Sequence, residues 1–188
     1  MKKISILFFL VLTSLTILAK QPQEGYRGFL EWSNNVRSYK TYYGKFTDYY
    51  TGVSTSHGYQ INQWIYTGAG VVFEYCKKEE DYIFAPFLDI RGDMKFDKFT
   101  PFVDARIGYN FTQRGDGLNI TSKNGGIYFS PKVGYRFNWG KKMGVNIGLG
   151  LTLVGYKSRF KWDSVTGEFL GAKNGCDSYF SFSVGFDF

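Results

Sequence analysis

The chain ends in Tyr179-Phe180-Ser181-Phe182-Ser183-Val184-Gly185-Phe186-Asp187-Phe188. Successive side chains of a β-strand point to opposite faces. One face of this stretch is therefore apolar, and it carries Phe180, Phe182, Val184, Phe186 and Phe188. The other face carries serine, glycine and aspartate. A strand of about ten residues with one apolar and one polar face is typical of a transmembrane β-barrel.

The amino terminus has a different pattern. Lys2 and Lys3 precede a mostly apolar stretch, 4–18, and the small residue Ala19 follows it. This pattern predicts a secretory signal peptide over 1–19, which leaves 20–188 as one barrel domain. No later segment has the roughly 18 consecutive apolar residues that a membrane helix requires. If the exported chain enters a membrane, it is expected to do so as strands.

The rest of the sequence divides into eight strand-length runs separated by turn residues. We predict strands at 25–34, 47–57, 63–76, 82–92, 99–111, 125–137, 143–156 and 178–188. The connections after the second, fourth and sixth strands are short (58–62, 93–98 and 138–142), and three of the other four are long (35–46, 77–81, 112–124 and 157–177). This alternation predicts an all-β, eight-stranded antiparallel up-and-down transmembrane β-barrel, with short periplasmic turns and long extracellular loops.

The orientation of the two faces follows from volume and charge. An eight-stranded barrel is only wide enough inside for its own side chains, so the bulky apolar face is expected to point outward. The opposite face carries five cationic and five anionic residues, which we predict to form a charge network in the lumen: Arg27, Glu31, Glu74, Asp89, Arg91, Asp104, Arg106, Lys132, Arg136 and Asp187. A soluble periplasmic ligand-binding barrel, with its apolar face inward, remains an alternative.

Composition excludes some functions. The formal net charge is +7, but lysine and arginine are dispersed, so no nucleic-acid partner is expected. The chain has a single histidine and two cysteines, with no cluster at metal-ligand spacing, so neither a metal site nor a cofactor is predicted. Cys76 and Cys176 are expected at the same rim. Export permits a disulfide between them, although the strands that they flank are not neighbours, so their pairing is left open.

His57 suggests an enzymatic alternative because Ser54 and Ser56 lie beside it in the sequence. Some small outer-membrane barrels are lipid-A acyl hydrolases that use serine and histidine. A nucleophilic serine needs a base within hydrogen-bond reach and a third group that orients the base. No acid is evidently placed for this role, so a turn-forming or interfacial histidine is the favoured interpretation.

The stretch Ser54–Asn62, its continuation Tyr66–Val71, and Pro101–Arg106 with the terminal Phe188 resemble the small outer-membrane β-barrel domain proteins of Bacteroides-like bacteria, which are related in architecture to OmpA- and OmpW-type barrels. The resemblance implies a fold and a membrane, but no catalytic residues. It also implies that the apolar set of the last strand is a signal for the barrel-assembly machinery.

We therefore predict a non-enzymatic outer-membrane barrel with a structural, surface-interaction or accessory role. A wide diffusion pore is disfavoured because water-filled channels need about twice as many strands. The expected partners are outer-membrane lipid and lipopolysaccharide, the assembly machinery during biogenesis, and a protein neighbour in the membrane. Lysine and arginine outnumber aspartate and glutamate in the longer connections, which suits contact with lipopolysaccharide phosphates.

Overall fold

The computed structural model of the chain describes residues 25–41, 44–78, 81–94, 99–116, 120–139, 143–158 and 173–188. They form eight strands: β1 (Gly25–Thr41), β2 (Gly44–Gln60), β3 (Ile65–Cys76), β4 (Asp81–Asp93), β5 (Phe99–Asp116), β6 (Ile120–Trp139), β7 (Met143–Ser158) and β8 (Lys173–Asp187). The strands close in chain order into one antiparallel barrel. The predicted fold class is confirmed. The predicted signal peptide, 1–19, lies outside the described residues.

The barrel closes where the last strand meets the first. β8 pairs with β1 from Phe29↔Asp187 to Val36↔Phe180. Phe188 continues this closure, because its backbone N–H donates to Gly28 O at 3.1 Å and its carbonyl accepts from Gly28 N at 2.9 Å. The terminal residue thus adds backbone hydrogen bonds at a position that would otherwise leave part of the β1 edge open.

The strands are longer than predicted. Residues 35–41 and 44–46, placed in a loop by the sequence, extend β1 and β2 as a hairpin, and 112–116 and 120–124 do the same for β5 and β6. Cross-strand contacts support the first hairpin. The hydroxyls of Ser38 and Thr47 lie 3.0 Å apart, and the rings of Tyr39 and Phe46 stack with centroids 6.0 Å apart. These segments lack apolar alternation, so sequence reasoning ended the strands early.

The barrel has two distinguishable ends. The end with the connections 61–64, 94–98 and 140–142 is called the short-turn end, and Phe188 lies beside it. The end with the extended β1–β2 and β5–β6 hairpins is called the hairpin end.

The outer wall carries the large apolar side chains. The predicted outward residues of β7 and β8 are exposed there, among them Ile147, Leu149, Leu151, Phe180, Phe182 and Phe186. Inward residues alternate with them and are buried, as for Asn146, Thr152, Ser181 and Ser183. An apolar exterior does not fit the soluble-barrel alternative, in which these residues would line a ligand cavity.

In the described part of the chain, no helix is long and apolar enough to span a bilayer.

Candidate functional site

The barrel interior is the candidate functional site, and its part nearest the short-turn end is polar. We name the residues there the rim network: Arg27, Gln60, Arg91, Asp93, Arg136, Asn146 and Asp187. Six different strands contribute them. Alternation turns these side chains into the lumen, and their positions near the strand ends bring them together at the short-turn end.

Asp187 and Asp93 organise the rim network. Arg136 approaches Asp187 through Nη2 at 2.8 Å, and Arg27 Nε lies 3.2 Å from the same carboxylate. Asn146 Nδ2 also donates to Asp187, at 2.9 Å. Asp93 pairs with Arg27 and accepts from Arg91 Nε at 2.8 Å. The network therefore ties the last strand to β1, β4, β6 and β7.

The second polar layer surrounds Arg106 near the middle of the barrel. We name it the central network: Glu31, Ser54, Ser56, Asp89, Asp104, Arg106 and Lys132. Arg106 donates to both oxygens of Glu31, at 3.1 and 3.0 Å, and Lys132 pairs with the same carboxylate. A bidentate arginine–carboxylate pair fixes both direction and distance. It joins β5 to β1 across the lumen.

Asp104 and Asp89 complete the central network. Arg106 Nε lies 3.3 Å from Asp104 and 3.7 Å from Asp89. Ser56 donates a hydrogen bond of 2.7 Å to Asp89, and Ser54 accepts one of 3.1 Å from Arg106. Three carboxylates thus share two cations, Arg106 and Lys132, and removing a partner from such a buried group is costly.

The structure places all ten residues of the predicted charge network inside the barrel, but does not join all of them. Nine take part in ion pairs of the two networks. Glu74 is the exception. It accepts hydrogen bonds from Ser33 at 3.0 Å and Asn35 at 2.6 Å, and forms no ion pair with any described residue. It forms a separate layer nearer the hairpin end.

On both sides of Glu74 along the strands, the interior also holds large apolar side chains, with Asp48, Asp81 and Asp177 buried nearer the hairpin end. We name the buried cluster there the apolar plug: Tyr50, Val72, Cys76, Ile83, Ala85, Phe87, Tyr128, Val154 and Tyr179. Tyr50 and Tyr179 pack edge to face with centroids 5.2 Å apart, and Phe87 and Tyr128 stack at 6.3 Å. The sequence analysis placed the apolar face outward but did not identify these inward aromatic and aliphatic residues.

Glycines make room for the inward aromatic rings. A Cβ at Gly70 would lie 2.7 Å from the Phe87 ring, and one at Gly134 would lie 2.6 Å from the Phe102 ring. Contacts that short do not occur, so a larger residue would displace the ring. These inward glycines thus have a packing function in the narrow barrel.

Aromatic rings also support the cations of the rim network. The guanidinium of Arg91 lies 3.6 Å from the Phe102 ring centroid and 4.8 Å from that of Phe29. Arg27 lies 4.7 Å from the same Phe29 ring. Cation–π contacts of this kind are strongest where water is excluded.

Sequence reasoning missed several members of this site. Asp93 was assigned to a turn, although the alternation of Asp89 and Arg91 continues to it and could have identified it. Gln60 was also placed in a turn, yet it accepts from Arg27 at 2.8 Å. Phe29 and Phe102 share the alternation of Arg27, Glu31 and Asp104, so the two-residue period could have placed their rings inward, although not against the arginines.

The disulfide considered between Cys76 and Cys176 is not formed, and both cysteines are free. Cys76 is buried in the apolar plug, whereas Cys176 is exposed on the outer wall. The prediction placed them at one rim but did not fix their faces. Cys76 is paired with Asp81 of β4 and Cys176 with Gly155 of β7, so the wall separates the two thiols.

The serine–histidine pair of the hydrolase alternative is also not assembled. Ser54 and Ser56 are buried in the central network, while His57 lies on the outer wall. His57 Nδ1 is 2.6 Å from the Tyr26 hydroxyl, and Nε2 is 3.0 Å from that of Thr55. Both ring nitrogens therefore already have partners, and neither faces a serine of the lumen.

Metal ligation has no support within the ranges that the structure describes, since no group of three or more histidine, cysteine, aspartate or glutamate residues there is placed to hold an ion. The carboxylates of the two networks instead face arginine and lysine.

Comparison with proteins of known structure supports the fold assignment. No protein-family model and no curated protein matches the chain. Neisserial surface protein A (NspA) superposes with a TM-score of 0.59 at 15% identity, over 86% of this chain and 94% of that one. The outer membrane protein OprG from Pseudomonas aeruginosa gives 0.54 at 9% identity, over 91% and 97%. The chain has the fold of small outer-membrane β-barrels. The resemblance to the Bacteroides-like type stays a prediction.

Proposed function

We propose that the protein is a non-enzymatic integral outer-membrane barrel whose sealed body holds the extended hairpins at the cell surface. The observation that carries this proposal is the combination of a wall rich in exposed apolar residues with an interior filled by buried ion pairs and the apolar plug. In lipid, a closed barrel satisfies its backbone groups internally. Its filled lumen suits a structural or surface-interaction role better than a wide pore.

The orientation forms part of the proposal. The short-turn end faces the periplasm, and the hairpin end is extracellular, as in bacterial barrels with short periplasmic turns. The hairpins then offer paired strands to a protein neighbour, and the wall contacts outer-membrane lipid and lipopolysaccharide. Phe180, Phe182, Val184, Phe186 and Phe188 are the residues that we propose the assembly machinery recognises.

Geometry at the closure supports the assembly proposal. Phe188 joins β1 through two backbone hydrogen bonds, and its ring lies against Gly28, where a Cβ would come within 2.6 Å. Deleting Phe188 is expected to lower the amount of assembled, heat-modifiable protein at low expression. Unchanged assembly would contradict the role of the terminal residue.

Cysteine labelling tests the orientation. Lys45 and Gln63 are exposed near the hairpin end and the short-turn end, respectively. In a background with both native cysteines changed to serine, Lys45→Cys should react with a membrane-impermeant maleimide on intact cells. Gln63→Cys, the matched control, should react only after the outer membrane is permeabilised. The reverse pattern would contradict the proposal.

A further inference from the structure

An apolar groove marks the outer wall of the barrel towards the hairpin end. It has a volume of about 710 Å³ and crosses the strands from β5 to β8. Its apolar lining includes Ile107, Tyr109, Ile127, Phe129, Leu153 and Tyr156. The volume lies within the roughly 300–1,000 Å³ of typical small-molecule sites. The outer face of a barrel strand is ordinarily convex, so this depression needs a local cause.

The cause is a change in the seam between β6 and β7. Towards the hairpin end, the last recorded β6–β7 pair is Tyr128↔Val154. Both strands continue past it, but with other partners. β6 follows β5 as far as Asp116↔Ile120, and β7 follows β8 as far as Ser158↔Lys173. Pairing between the two strands ends at this point although the backbones of Gly126 and Gly155 still touch, and the groove lies over this junction of two hairpins.

Glycines deepen the groove. Gly125, Gly126, Gly155 and Gly175 all line it and contribute no side chain to fill it. The Tyr109 ring lies over Gly125, where a Cβ would come within 2.5 Å of ring carbon Cε1, and the Tyr156 ring lies over Gly175, where a Cβ would come within 2.8 Å of Cε2. Both rings line the groove.

Asn110 closes the seam from the lumen side. Its side-chain amide donates to Gly126 O at 3.1 Å and to Gly155 O at 2.7 Å, and the residue is fully buried. Carbonyls without donors are strongly disfavoured in lipid. Since a lumen residue satisfies these two, the outer side of the junction can remain apolar.

We propose that this groove binds an acyl chain of lipopolysaccharide. The inference rests on the proposed function, which places the groove in the lipid-facing wall and in the outer leaflet. The groove is continuous with that wall, so its occupant must be apolar along its length. Unlike the smooth wall, it surrounds a chain on several sides and can retain it.

Charge favours lipopolysaccharide over an uncharged lipid. In their continuations towards the hairpin end, the strands that border the groove carry four cationic residues, Arg114, Lys123, Lys157 and Lys173, against two anionic ones, Asp116 and Asp177. These positions lie on both sides of the junction, beyond the groove. Phosphate groups on the glycolipid are attracted by a local excess of cationic residues.

Lipid retention provides the test. The protein is extracted from outer membranes in a mild detergent, and native mass spectrometry counts the bound lipopolysaccharide and glycerophospholipid. Ile127→Trp fills the groove, because Ile127 is a lining residue with an exposed fraction of 67%. Val71→Trp is the matched control, since Val71 is an outward residue of β3 away from the groove. Heat-modifiability confirms that both variants are folded.

The expected result is lipopolysaccharide bound to the wild type and to Val71→Trp, with a loss of about tenfold or more in Ile127→Trp, equivalent to about 1.4 kcal/mol or more. Equal retention in both variants, or no bound lipid in the wild type, would overturn the groove as the site. Retention of glycerophospholipid instead would overturn the choice of lipopolysaccharide. The labelling of Lys45→Cys separates these failures from a failure of the proposed function, because it reports orientation without lipid.

Discussion

The two halves of the barrel interior are built on the same alternation but are stabilised differently. Towards the short-turn end, the rim and central networks fill the lumen with paired charges. Towards the hairpin end, the apolar plug supplies the large buried side chains, and the carboxylates Asp48, Asp81 and Asp177 are buried around it. The first half depends on each charge keeping its partner, whereas the second depends on volume. Alternation thus tells which side chains face inward, but not how the interior is stabilised.

The largest effect is expected from removing the cation at the centre of the polar half. Arg106→Ala leaves Glu31, Asp89 and Asp104 short of a partner in a water-poor lumen. Breaking a buried pair in this way costs about 3–5 kcal/mol. Urea unfolding of the protein in lipid vesicles should show a loss of this size. A loss under about 1 kcal/mol would mean that water, not ion pairing, satisfies this layer.

A charged residue placed on the outer wall tests whether the outward and inward faces of β7 are assigned correctly. Leu149 is outward, with an exposed fraction of 47%, and Thr152 is inward and buried. Leu149→Arg is expected to lower the free energy of unfolding by about 2–4 kcal/mol in vesicles. Thr152→Asn should cost less, because polar groups of the lumen offer partners such as Ser130, 3.0 Å away. Equal losses would indicate that the faces are assigned the wrong way round.

A smaller effect is expected for a methylene lost from the apolar plug. Ile83 is almost fully buried there, so Ile83→Val should cost about 0.5–1.5 kcal/mol. The same change at Ile90, which is outward on the same strand, should be close to neutral because lipid fills the space. If both variants unfold like the wild type, the plug is loosely packed.

The smallest effect is expected at the hairpin-end mouth. Lys78 Nζ lies 3.3 Å from Asp48, and the lysine side chain is about half exposed. Asp48 is buried, but water screens the half-exposed lysine, so the pair should contribute about 1 kcal/mol or less and Lys78→Ala should change the urea midpoint little. A loss comparable with that of Arg106→Ala would remove the distinction between mouth and lumen.

Much of the fold could be predicted from the sequence because membrane barrels impose a strict two-residue period. Runs such as Val145–Leu153 and Phe180–Phe188 show it directly, and all eight strands were located. The ends of the strands were harder to predict from the sequence. Residues 35–46 lack regular apolar alternation, yet most of them continue β1 and β2 because cross-strand pairing does not require an apolar face.

The interior was only partly predictable. Charged residues such as Arg106 stand out because an inward charge needs a partner. Their inward position followed from the two-residue alternation of the strand. Their actual partners depend on the register of non-neighbouring strands, as for Arg106 of β5 and Glu31 of β1. Part of the apolar plug could have been placed inward, because Phe87 shares the alternation of Asp89 and Arg91, whereas Phe84 has the opposite parity. Which of these side chains pack together depends on the register of several strands and could not be read from the sequence.

Native Cys76 offers the most direct test of the central claim, which is that side chains seal the interior. In the Cys176→Ser protein, folded in lipid vesicles, Cys76 is the remaining thiol and lies fully buried in the apolar plug. A small water-soluble methanethiosulfonate reagent should leave it unmodified, as read by intact mass, until urea unfolds the barrel. Modification in the folded protein at the rate of a free thiol would contradict a sealed lumen.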